Sequence, residues 1–299
     1  MTTGVAKKVI TMLEFWNALL DPDNEFLRLA LYVGILASLP FGIIGTYVVT
    51  RKISYLAGAI SHCVFGGIGA GLYIQVKLGF FWFDPVYGAV ASALLAAVII
   101  GLVSLYAQER EDTAIGALWA VGMATGLLFI DMTPGYFDIT SYLFGDILLI
   151  SKYDLWLVIC LDILVIAILI LFFNKLLAVC FDGEFARLRG INADALYILL
   201  LCLTALTVVL LVRMVGIVMV IALLTIPPAI AGLFAKRLWQ MMALAIILCA
   251  TFTWSGLAIS YHFKLSSGPA IIVIAGLTYL IVLSATRIKR KWLYRLIFK

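Results

Sequence analysis

Only two histidines occur in 299 residues, and one of them lies deep in an apolar stretch, Gly58-Ala59-Ile60-Ser61-His62-Cys63-Val64-Phe65-Gly66-Gly67. A neutral imidazole is a good ligand for divalent zinc, iron or manganese, so His62 is a candidate transient metal ligand. The competing reading is an imidazole hydrogen-bonded to a neighbouring helix. Cys63 lies about 100° further around a helix and is read as packing. A charge at the centre of a membrane span costs about 2.5–3.5 kcal/mol even on a mild scale. Asp162 and Asp146, lesser metal candidates beside His62, and Cys160 are read as lesser candidates for a polar path, and Asp162 has the competing reading of a group paired with a neighbouring helix or reaching the interface. Pro227 and Pro228 remove backbone donors and predict a broken helix, which either lines a pathway or is a plain kink. His262 follows Tyr261 at a helix end, as a solvated interfacial residue or a guide for incoming metal.

Enzyme chemistry finds little support. Neither histidine sits in an H-E-x-x-H or G-x-S-x-G setting, and no G-x-x-x-x-G-K-[ST] loop is present to bind ATP. The glycines at 66, 67, 69 and 71 lie inside an apolar span with no soluble strand before them. Close helix packing explains them, with Gly67 and Gly71 as a small-xxx-small pair.

The elements that carry these residues are membrane spans. The chain is 65% hydrophobic and 12% charged, with a mean hydropathy of +1.16, against about 45–50% apolar and roughly 25% charged in soluble domains. That excludes a water-soluble protein and predicts an all-α polytopic membrane protein. Nine apolar runs approach the roughly 20 residues a span requires: 26–49, 56–76, 86–107, 113–131, 154–174, 194–213, 215–234, 239–260 and 269–286. About eight or nine transmembrane helices are expected. The bases lie between these runs and in the tail, so nucleic acid is not an expected partner. The five cysteines show no C-x-x-C pairing, which indicates neither a disulfide framework nor a zinc finger.

Three regions follow: an N-terminal interfacial segment, 1–25; a transmembrane domain, 26–286; and a basic cytoplasmic tail, 287–299. The tail carries Arg287, Lys289, Arg290, Lys291, Arg295 and Lys299 and no acid. The positive-inside rule then places it in the cytoplasm, where it can meet anionic lipid. In the first segment Val9, Met12, Leu13, Trp16, Leu19 and Leu20 recur at helical spacing, as in a helix lying on the bilayer. The loop 175–193 reads as a short amphipathic cytoplasmic helix. Asp182 caps it, Glu184 falls in its first turn, Arg187 and Arg189 in its last, and Gly190 ends it. Phe185 and Leu188 project apolar surface for packing or for a partner's groove.

Five segments, in order, resemble the permease subunit of metal-ion ABC transporters, the zinc/manganese/iron ABC-3 family. They are Arg51-Lys52-Ile53-Ser54 through Ser61-His62 and Gly67, Ser141 to Leu148, Phe181 to Ala186, Val215-Gly216 through Ala229, and Ser267-Gly268-Pro269. The resemblance implies an importer permease bundle in a bacterial plasma membrane, driven by a separate cytoplasmic ATPase dimer. It also implies an extracytoplasmic metal-binding protein, and a second permease copy or a paralogue. No permanently bound cofactor is implied, since the divalent metal is cargo. The family's Asp four residues before the histidine is Gly58 here, its later Pro is Gly66, and its loop Pro is Gly183. The loop resembles the helix that couples to the ATPase, through Asp182, Glu184, Phe185 and Arg187. An ion-coupled secondary metal carrier or channel is the alternative, and it ordinarily shows several intramembrane acids.

Overall fold

The computed structural model describes residues 24–106, 111–135, 139–145 and 152–297, with positions 16, 19 and 21 before them. Eleven α-helices run through these residues: α1 (Glu25–Thr50), α2 (Ser54–Leu72), α3 (Pro85–Tyr106), α4 (Glu111–Asp131), α5 (Ile139–Phe144), α6 (Lys152–Phe181), α7 (Gly183–Leu188), α8 (Ala193–Val215), α9 (Ile217–Gly232), α10 (Leu238–Phe263) and α11 (Ser267–Ile297). A π turn, Tyr73–Lys77, extends α2. Eight helices among the described residues are long and apolar enough to cross a bilayer. Helices prevail because hydrocarbon offers no water to the backbone, so every N–H and C=O must be satisfied within the segment.

Two helices form the centre. α1 packs on α6, α8, α9 and α10, and α2 on α3, α4, α8 and α9. Phe41 and Tyr47 of α1 and Leu56, Ile60 and Phe65 of α2 are almost completely enclosed. Apolar side chains gain little by leaving lipid for protein, so tight van der Waals contact has to hold the bundle, and small residues permit it. A Cβ on Gly67 or Gly88 would enter the other's carbonyl, and one on Gly71 would lie 2.7 Å from the Pro85 Cα. The small pair expected at 67 and 71 thus packs α2 on α3. Buried hydroxyls of Thr46, Ser61, Thr204 and Thr207 donate to the carbonyl one turn back, at 2.6–2.8 Å, which satisfies them without a partner helix.

Three expectations change. The seventh run, 215–234, is α9, a helix of 16 residues and about 24 Å, buried against α1, α10 and α11. Pro227 and Pro228 lie inside it with no break. The carbonyls that they leave without a donor are those of Leu223 and Leu224. The first accepts from Cys249 Sγ at 3.5 Å, and the second packs directly on Gly45, where a side chain would collide with it. The break falls instead at Gly216, φ 80°, between α8 and α9. Finally, the first third of the 175–193 loop is helix, because Leu176, Val179 and Cys180 are buried and carry α6 on to Phe181. The basic tail likewise continues α11 as far as Ile297. Most of segment 1–25 lies outside the described residues; Trp16 is exposed and Leu19 buried.

Gly67→Ala is expected to lower the unfolding midpoint of the solubilised chain through overpacking of about 1–3 kcal/mol. Gly276 has open space around it, so Gly276→Ala should hold or raise the midpoint by roughly 0.5–1 kcal/mol. Fluorescence-monitored melts decide, and equal melts for both variants would remove the close-contact account of α2.

Candidate functional site

His62 is held on the face of α2 that meets α4. Gly58, one turn earlier, and Gly66, one turn later, share this face. The indole of Trp119 on α4 stacks on the imidazole, with ring centroids 4.7 Å apart and planes 28° from parallel. A Cβ built on Gly58 would stand 2.6 Å from Trp119 Cζ3 and 2.7 Å from Cη2. Gly66 brings the backbones together further along, where a Cβ would sit 2.7 Å from the Gly122 carbonyl oxygen. Two of the three departures from the family pattern therefore face the same neighbouring helix. His62 Nδ1 is buried with no hydrogen-bond partner, so this nitrogen is not committed to a neighbouring helix. Cys63 packs, as expected, with its Sγ 3.5 Å from the Leu118 carbonyl.

Asp162, the other described metal candidate, makes no hydrogen bond to His62. Asp162 on α6 is 5% exposed, and neither carboxylate oxygen has a hydrogen-bond partner. Asp146 lies outside the described residues. Among the described residues no three His, Cys, Asp or Glu side chains gather where they could hold a metal. Among the described residues the arrangement at His62 offers a metal one imidazole. At one end of α1 a cavity of about 550 Å³ is lined by Phe26, Leu27, Ser260, Tyr261, His262 and Lys264, so His262 lines a recess at the opposite end of α1 from α7.

The α7 end is built as the sequence predicts. Asp182 caps α7 by accepting from the Phe185 amide at 2.9 Å, and Gly190, φ 76°, follows its end. Ala186 is buried while Phe185 and Leu188 are exposed, Leu188 at 87%. Arg187 pairs with Asp194 at the start of α8. Gly183 has nothing within 4 Å of a built Cβ, so the lost proline leaves no packing defect. Beside α7 a groove of about 290 Å³ is lined by Arg51, Asp182, Glu184, Arg187, Asp194 and Tyr197, among others. Arg51, which the sequence marked only as part of a motif, ties this end to the core. Its Nη1 donates to the Val179 carbonyl at 2.8 Å, and its guanidinium lies 5.2 Å from the centre of the Tyr197 ring.

Three of the five segments that carry the resemblance converge at one place. Gly145, φ 71°, and Gly216 meet backbone to backbone, and Gly268 packs on the Phe144 carbonyl. Trp119 had no comparable signal, because nothing in the sequence pairs a tryptophan of α4 with a histidine of α2. Asp182→Ala should cost about 1 kcal/mol of α7 stability, seen as roughly fivefold faster hydrogen exchange at the Phe185 amide. Asp182→Asn should keep native exchange, and unchanged exchange in the Ala variant would deny the cap.

Comparison with known proteins covers nearly the whole chain. An uncharacterized membrane protein of Synechocystis is 42% identical over 288 residues, 96% of this chain and 99% of that one. The manganese transport system membrane protein MntC of Listeria monocytogenes is 32% identical over 257 residues, 86% of this chain and 89% of that one. The structure of PsaBC from Streptococcus pneumoniae in complex with Fab contains a chain that superposes with a TM-score of 0.79 at 30% identity, covering 91% of this chain and 95% of that one. The model of the ABC 3 transport family matches residues 23–286. With a family match over so much of its length, this multi-pass membrane chain belongs to the ABC 3 transport family.

Proposed function

We propose that this chain is the permease subunit of an ATP-driven importer that carries a divalent transition metal, zinc, manganese or iron, across a bacterial plasma membrane. The observation that carries this reading is similarity along most of the chain to a Listeria protein named as a manganese transport system membrane protein. The chain has no phosphate-binding glycine loop, so ATP is hydrolysed by a separate cytoplasmic ATPase dimer. An extracytoplasmic binding protein delivers the metal, and a second permease copy completes the pathway. No cofactor is held permanently.

α7 is the element that meets the ATPase. Phe185 and Leu188 present apolar surface for a partner groove, and Glu184 and Arg187 edge the cavity beside them. His62 is the transient ligand. One imidazole suits a transporter, because conduction needs binding strong enough to admit the ion and weak enough to release it. An N and O site favours zinc over ferrous iron or manganese, so the binding protein's supply decides which ion is carried.

Vesicles holding the chain with its ATPase and binding protein, fed radiolabelled zinc, manganese and iron, should take up one metal with ATP. His62→Ala should abolish that uptake in an assembled complex. Persistent uptake in the variant would move the site elsewhere, and no uptake of any metal by the native complex would overturn the substrate reading. Glu184→Ala with Arg187→Ala should lower coupled ATP hydrolysis at least tenfold while the chain stays folded, because the exposed Arg187–Asp194 pair contributes only about 0–1 kcal/mol. Native hydrolysis in that variant would remove α7 from the ATPase contact.

A further inference from the structure

We propose that Trp119 is the gate of the metal pathway, its indole closing over His62 in the state seen here and turning aside to admit the metal. The inference rests on the permease reading of His62. Three separate observations carry it. The indole covers one face of His62, whose Nδ1 is buried and keeps no hydrogen-bond partner. The volume beside His62 that a side chain at position 58 would fill is already occupied by the indole. Only glycine at 58 tolerates the tryptophan in this pose.

The third observation concerns what can move. Immediately after Trp119 the backbones of α2 and α4 are locked together. A Cβ on Gly122 would lie 2.9 Å from the Cys63 Cα, and one on Gly126 would lie 2.8 Å from the Phe65 carbonyl oxygen. The helix therefore cannot carry the indole away by itself sliding along α2. Before Trp119 the situation reverses. Gly116, one turn earlier, has nothing within 4 Å of a built Cβ, and a helical side chain covers the turn on its N-terminal side. Trp119 is also 37% exposed, with α4 packed chiefly on α2 and little on α3. A side-chain rotation toward Gly116 frees His62 without moving the backbone, so the gate is a rotamer rather than a helix shift.

The test uses the full chain with its ATPase, in a His262→Gln background that leaves His62 as the single histidine. Carbethoxylation of His62 by diethyl pyrocarbonate, read by mass spectrometry, should be slow in the native chain without nucleotide. It should run at least tenfold faster in Trp119→Ala and stay near native in Trp119→Phe. Zinc ions alone should protect the opened His62 in Trp119→Ala. Vesicles of that variant should also leak zinc down its gradient without ATP. Gly116→Leu puts a side chain into the space toward which the indole turns, starting from a Cβ that meets nothing within 4 Å, so it should leave the chain folded, His62 slow to react and ATP-driven uptake at least tenfold lower.

Equal reactivity of His62 in the native chain and Trp119→Ala overturns the gate, as does native uptake by Gly116→Leu. If Trp119→Ala fails to melt cooperatively, the Gly116→Leu result alone decides. Failure of the native complex to move zinc, manganese or iron overturns the permease reading instead, and the reactivity ratio still reports whether Trp119 covers His62.

Discussion

Two helices approach within backbone contact only where one of them offers no Cβ, and the placement of α2 depends on that constraint. In lipid the usual drive to hide apolar surface from water is absent between helices, and close van der Waals contact takes its place. α2 meets α3 through Gly67 and Gly71 and meets α4 through Gly58, Gly66 and Gly69. Opposite faces of one helix are thus clamped, and His62 sits on the clamped face toward α4. Its position is set by backbone contacts on both sides, which gives the imidazole a defined place without a cluster of metal-ligating side chains among the described residues.

The same economy governs the backbone polar groups. The paired prolines of α9 deprive two carbonyls of their helical donors, a loss that costs several kcal/mol per group in hydrocarbon when nothing replaces them. Here Cys249 Sγ takes one of them, and the other packs on Gly45 in close contact with α1. The helix therefore continues through both prolines, and the break between α8 and α9 is left to Gly216, whose positive φ an L side chain would resist. Proline marks where the helix is weakest in isolation. The neighbours decide where it ends.

Composition and hydropathy made the class, the spans and the short helix at 183–188 readable, because each depends on local sequence: run length, a capping Asp182, a terminating Gly190. The glycine pair at 67 and 71 was readable for the same reason. What escaped depends on partners distant in the chain. Apolar residues at 176–180 extend α6 only because α1 and α8 cover them, and the continuity of α9 through Pro227 and Pro228 needs Cys249 and Gly45. Gly58 looked like a missing carboxylate. Beside Trp119 it is the space an indole requires. Asp146 remained outside the described residues, and Asp162 proved buried but not joined to His62, so its polar character alone did not locate it in a site.

Contiguity links the two ends of the molecule through few parts. The Arg51 guanidinium grips the Val179 carbonyl at the end of α6, just before the helix that would meet an ATPase, and rests on Tyr197 of α8. Tyr197 in turn is 3.1 Å from the Ser104 hydroxyl of α3. Three residues after Arg51, with Lys52 at φ 60° in the turn, α2 begins and carries His62 two turns inside the bundle. The end of α6 and the start of α2 therefore share one charged clamp, whose far side is a helix fixed by glycines. Past Trp119 the glycines hold α4 against the same helix, so the indole, with an open turn beside it at Gly116, is the less constrained part of that contact.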